Sequence, residues 1–140
     1  MENFQINWLA VIIAVIANFI LGFLWYTPLF GKAWAREMHI DTTQKPPAGA
    51  LAKGMVFMII GNFLMAYVFA HNIYVWNVVA PMSPPTAAWS AAFFTWLGFY
   101  FPVDLGSVAW ENKSWKLFFI NTGYHLAMLI VAAIILTHMH

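Results

Sequence analysis

Four long apolar runs, separated by short polar stretches, leave this chain few folds to choose from, and its lysines and arginines lie in or beside just two of those stretches. The runs cover about residues 7–26, 50–74, 86–108 and 115–137. A helix rising about 1.5 Å per residue needs about 20 residues to cross about 30 Å of hydrocarbon. Each run is long enough. Rows of strands of that length would need turn signals the runs lack, and lipid leaves no unpaired backbone unpunished, so helices are predicted throughout.

Local punctuation agrees with these bounds. Ser83-Pro84-Pro85 offers a cap followed by prolines suited to a first helical turn, and Pro46-Pro47 closes the long loop before the second run. Trp8, Trp25, Tyr26, Trp76, Trp89, Trp110 and Trp115 sit near run ends, as expected of an aromatic belt at the headgroup level. The predicted fold is therefore all-α and integral to a membrane: one domain over 1–140, with four transmembrane helices in two antiparallel hairpins forming a compact bundle.

Composition excludes the main competing classes. With 63% hydrophobic and 8% charged residues, the chain cannot cover a globule with polar surface. It has no cysteine, hence no disulfide framework and no thiolate nucleophile or metal site. A formal charge of +1 does not suggest nucleic acid as a partner. No paired carboxylates, ligand cluster or nucleophile–base motif stands out, so no enzyme, metal or cofactor is predicted.

The placement of the six cations gives an orientation. Lys32, Arg36, Lys45 and Lys53 lie in or beside the loop at about 27–49, and Lys113 and Lys116 in or beside that at 109–114. Both loops are expected in the cytoplasm and both termini outside. Glu2 and the lack of a basic leader argue against a cleaved signal peptide. Within the first loop, Phe30 to Ile40 reads either as a surface helix with Trp34 and Met38 on lipid or as a solvated basic turn. A short echo links Leu21-Gly22-Phe23, Pro28, Gly31 and Trp34 to Leu97-Gly98-Phe99, Pro102, Gly106 and Trp110, which suggests two related hairpins.

The segment Ile6-Asn7-Trp8-Leu9-Ala10, the stretch from Gly22 through Trp25-Tyr26-Thr27-Pro28-Leu29-Phe30-Gly31-Lys32 to Trp34, and Trp115 to His125 together resemble a widespread bacterial family of small membrane proteins catalogued only as a domain of unknown function. The resemblance spans nearly the whole chain. It implies four transmembrane helices in a bacterial inner membrane and carries no catalytic residues with it.

A sparse set of polar residues lies at membrane depth, where an unpartnered polar group costs several kcal/mol and normally faces the bundle interior. Asn18, Asn62 and His125 fall near the middles of three different helices and are expected at one level. Asn121 is one turn from His125, and Tyr100 one turn before Asp104. Asp104 is the only acidic residue inside the four runs. One reading breaks the third helix at Pro102, flanked by Gly98 and Gly106, and turns Asp104 inward towards Asn121 as part of a polar seam. The other ends that helix near Phe101 and pairs Asp104 with Lys113, Lys116 or Arg36 at the headgroups.

His125 reads as a proton relay, as a haem ligand for which His71 is too far away in depth to be the partner within one chain, or as a histidine satisfied by Asn62, Asn18 or Tyr124. Ala14, Asn18, Gly22 and Tyr26 form a stripe on the first helix, and Gly123 with Ala127 a small pair on the last, which marks close helix packing. Two functions follow: an oligomeric conductor of ions, protons or a small solute, or an accessory scaffold that binds other transmembrane helices. Expected partners are the bilayer and either further copies of the chain or a helix of a membrane complex.

Overall fold

The computed structural model describes residues 4–41 and 43–139, so Glu2 lies outside the described residues. Helix α1 (Trp8–Leu24) is capped by Asn7, whose side-chain oxygen accepts from the Ala10 N–H at 3.1 Å. The same amide donates to the carbonyl of Met139 and so ties the two ends of the chain together. At Trp25–Leu29 the helix widens into a π-helical turn. Pro28 has no N–H to give and its ring crowds the preceding turn, and the wider spiral relieves both, with Phe30 N–H bonding five residues back to Trp25 at 2.8 Å.

A short helix α2 (Gly31–Glu37) follows. Ala35 is buried and half-buried Trp34 sets its ring edge-on to Tyr26 with centroids 5.7 Å apart, so one face of the short helix packs on protein. Helix α3 (Ala48–Val79) starts just after Pro47 and runs for 32 residues, longer at both ends than the sequence reading. Pro84 and Pro85 open α4 (Pro84–Thr95), as predicted from their freedom to lack an N–H donor in a first turn. A second π-helical turn (Trp96–Tyr100) joins α4 to α5 (Phe101–Trp110), and helical conformation continues unbroken from 84 to 110. Asn112, in left-handed conformation at φ 54°, turns the chain, and Ser114 caps α6 (Trp115–His138) by accepting from the Leu117 N–H at 3.1 Å.

Three stretches are long and apolar enough to cross a membrane: Trp8–Leu29, Ala48–Val79 and Trp115–His138. The expected third span of four is instead two helices of 12 and 10 residues. The cause is Pro102: it cannot donate to the carbonyl of Gly98, and the π turn just before it absorbs the mismatch without ending the helix. Termination near Phe101 is therefore not what occurs.

Helix α6 is the centre of the fold. It packs on α1, α3, α4 and α5 and buries Leu117, Phe118, Leu129, Ala132 and Ala133. Along its apolar window 44% is buried, against 11% for α3, whose buried residues Asn62, Ala66, Phe69 and Ile73 make a single stripe. The rest of α3 exposes Leu51, Phe57, Ile60, Leu64 and Val68. Each such side chain gains about 1.5–3 kcal/mol on leaving water, so an outer surface of this kind suits hydrocarbon. On α1, Ala14, Asn18 and Gly22 are buried within the chain, which assigns that stripe to internal packing.

Candidate functional site

Near the end that carries the basic loops, α5 and α6 bring Asp104 and His125 together. His125 Nδ1 lies 2.7 Å from Asp104 Oδ2, with side-chain exposures of 27% and 13%. An imidazole N–H on that side donates to an ionised carboxylate in either charge state of the ring. Asp104 thus pairs with the histidine, and none of Lys113, Lys116 or Arg36 forms an ion pair with it. One turn before His125, Asn121 accepts a hydrogen bond from the Tyr26 hydroxyl at 2.7 Å. The Tyr100 ring lies 5.1 Å from the His125 ring, and Ser107 donates to the Asp104 backbone carbonyl at 2.7 Å. Around these groups opens a cleft of about 610 Å³. Its walls include Tyr26, Asp104, Trp110, Glu111, Phe118 and His125.

The cleft is held by two tryptophans whose role the sequence did not disclose. Trp25 and Trp96 each begin a π turn. The Trp25 indole N–H donates to the Ile120 carbonyl at 2.9 Å, and that of Trp96 to the Thr122 carbonyl at 2.9 Å and hydroxyl at 3.1 Å. At about 100° per residue, Ile120 and Thr122 face nearly opposite sides of α6, so the helix is gripped from both flanks just before His125. Half-buried Trp25 is accordingly tied to α6 through its indole N–H, a role beyond the belt position expected of it. The structural equivalence of Trp25 with Trp96 also differs in register from the echo read in the sequence, which paired Leu21-Gly22-Phe23 with Leu97-Gly98-Phe99. A tryptophan just ahead of a proline-strained turn in both hairpins was the available signal.

Among the described residues no hydrogen bond joins the three mid-helix polar residues to one another. His125 turns to Asp104, and Asn62 donates to the Met58 carbonyl at 3.0 Å, with the Tyr124 side chain against it. Asn18 has 0% exposure, and neither of its side-chain polar atoms has a hydrogen-bond partner among the described residues. Gly22 is a close-approach glycine: a β-carbon there would meet the Met58 methyl and, at 3.1 Å, the Tyr124 hydroxyl. Gly123 likewise faces the Trp25 ring at 3.3 Å. Gly98 has open space beside it, so its predicted packing role is not one of close contact.

A tight apolar layer separates these polar side chains from those at the terminal end, where Gln5, Asn7, Asn77 and Thr137 line a second cavity. Towards the terminal end, Ala10, Val11, Ala14, Leu129, Ala132 and Ala133 have exposures of 0–1% and seal the interior. No three histidine, aspartate or glutamate side chains lie close enough to hold a metal ion among the described residues.

Fold and site together define an all-helical protein with membrane-length apolar helices and an Asp–His pair in a cleft at one end. The chain belongs to the family of proteins of unknown function DUF1761, which it matches over residues 9–137. No curated protein and no solved structure is significantly similar to it.

Proposed function

We propose that this protein is a gated conductor of protons, or of a small solute together with protons, in a bacterial cytoplasmic membrane. The carrying observation is the Asp104–His125 pair on the wall of an open cleft, a proton-exchanging unit where an unpaired carboxylate would be costly. In this reading residues 84–110 provide the fourth crossing, the basic loops lie in the cytoplasm and both termini outside. The cleft is then an inward-facing site. The alanine, valine and leucine seal beyond Asn18 makes an open pore unsuitable, so passage requires that seal to open, within one chain or across an oligomer.

Reconstituted vesicles test this directly. A potassium gradient with valinomycin drives protons inward, followed by a trapped pH dye. Asp104→Asn is expected to reduce the protein-dependent flux at least tenfold, in line with the usual weight of a proton-transfer group. Full flux in correctly assembled Asp104→Asn would sink the proposal.

An accessory role draws support from another surface. Ile12, Val15 and Ile16 of α1 and Ile59, Ile60 and Phe63 of α3 line an apolar groove of about 370 Å³ suited to a further helix or a second copy of the chain. If Ile16→Trp disperses an assembly while Asp104→Asn leaves every measured flux unchanged, the scaffold reading is the better one.

A further inference from the structure

The charges around the cleft are sorted by sign. Asp104, Glu111 and His125 line it, and none of the six lysines and arginines does, although the chain order brings all six to the same end. Its remaining walls include the aromatic residues Tyr26 and Trp110, while Phe118 is almost wholly buried. A volume of about 610 Å³ falls within the range of small-molecule sites, about 300–1,000 Å³. An anion would meet two carboxylates, with His125 the one lining residue able to carry positive charge. A neutral solute would displace water from those carboxylates and supply no countercharge.

The geometry also selects among cations. A divalent metal wants several oxygen or nitrogen ligands converging on one point, and no such triad exists among the described residues. Several of the lining oxygens are already engaged: Asp104 Oδ2 with His125, Asn121 Oδ1 with Tyr26, and Ser107 Oγ with a backbone carbonyl. A compact, strongly hydrated ion therefore finds no cage to replace its water. A weakly hydrated organic cation needs none, because diffuse positive charge is satisfied by nearby carboxylates and by the faces of aromatic rings.

We propose that the cleft binds a small organic cation, an alkylamine or quaternary ammonium, in exchange for a proton; the exchange rests on the reading of Asp104–His125 as the proton site. Facing the pair are Tyr26 and Tyr100 from the two π turns, Glu111 from the end of α5, and Tyr124 from α6 itself. Protonated His125 adds positive charge to a wall that the cation must approach. Cation entry therefore favours the neutral imidazole, and a protonated His125 gives up its proton as the cation binds.

Calorimetric titration of the purified protein with tetraethylammonium, in two buffers of different ionisation enthalpy, reads both binding and proton release. The expected result is saturable binding with proton release, weakened at least tenfold by Asp104→Asn and several-fold by Glu111→Gln, with no binding of benzoate. Glu111 is exposed, so its variant keeps the test valid if Asp104→Asn does not fold. No saturable binding, benzoate binding of equal strength, or tetraethylammonium binding that Glu111→Gln leaves unchanged overturns the proposal. Proton flux lost in Asp104→Asn without any tetraethylammonium binding overturns the cation site alone. Tetraethylammonium binding beside undiminished flux in Asp104→Asn overturns the conductor reading and the exchange built on it.

Discussion

At the scale of single residues, Asn18 and Asp104 show two fates of a polar group on an apolar helix. Asp104 has a partner: His125 at 2.7 Å gives a partly buried, charge-assisted hydrogen bond. Asn18 is fully buried with no hydrogen-bond partner among the described residues, a state that costs about 1–3 kcal/mol in folded proteins. Asn18→Leu should therefore raise stability by about 1–3 kcal/mol, seen as a higher midpoint of thermal unfolding in detergent. A lower midpoint would show that the amide has a polar partner. The glycines divide in the same way. Gly98→Ala fills open space and should be neutral or stabilising by up to about 1 kcal/mol, whereas Gly22→Val presses on Met58 and Tyr124 and should cost about 1–3 kcal/mol in the same assay.

Among the elements, the two π turns matter most, because each carries residues of the site. Tyr26 lies inside the first turn, and Tyr100 closes the second, four residues before Asp104. In each, the leading tryptophan bonds to α6, so the turn that relieves a proline also fixes the angle at which its polar residue meets the central helix. Trp25→Phe and Trp96→Phe each remove one such hydrogen bond at a cost of about 1 kcal/mol, and the pair together should loosen α6 locally. Hydrogen exchange around Asn121 and His125 should accelerate in the double variant more than in the half of α6 near Leu136. Uniform acceleration along the helix would instead mean that the indoles add only general stability. Helical character was legible from the apolar runs, and the proline starts of α3 and α4 from their dipeptides. The π turns were not, since a proline in a helical pattern signals a break, a kink or a widened turn with equal force.

For the whole molecule, the order of helices places Lys32, Lys45 and Lys113 at one end and Met82 at the other. The chain has no cysteine, so single substitutions give clean labelling. Lys45→Cys and Lys113→Cys should react with an impermeant maleimide only in inverted vesicles, and Met82→Cys only in intact cells. Labelling of Lys45→Cys and Met82→Cys from the same side would refute the proposed topology. The exposed faces of α3, with 11% of its window buried, belong to this scale too: they meet lipid or another subunit, and the Ile16→Trp experiment separates the two.

What the sequence by itself determined is what depends on counts and spacing along the chain: helix, membrane-compatible surface, family, and the end to which the cations belong. Those properties follow from local hydrophobicity and from rise per residue, which need no knowledge of neighbours. Only the tertiary structure decided that Asp104 meets His125, that Asn18 and Asn62 share no hydrogen bond, and that the indoles of Trp25 and Trp96 bond to α6. Each of those depends on rotation about a helix axis, where one residue turns a side chain by about 100°. A widened turn at Trp25 or Trp96 resets that rotation for every residue beyond it, and a pattern read along the sequence does not register the change.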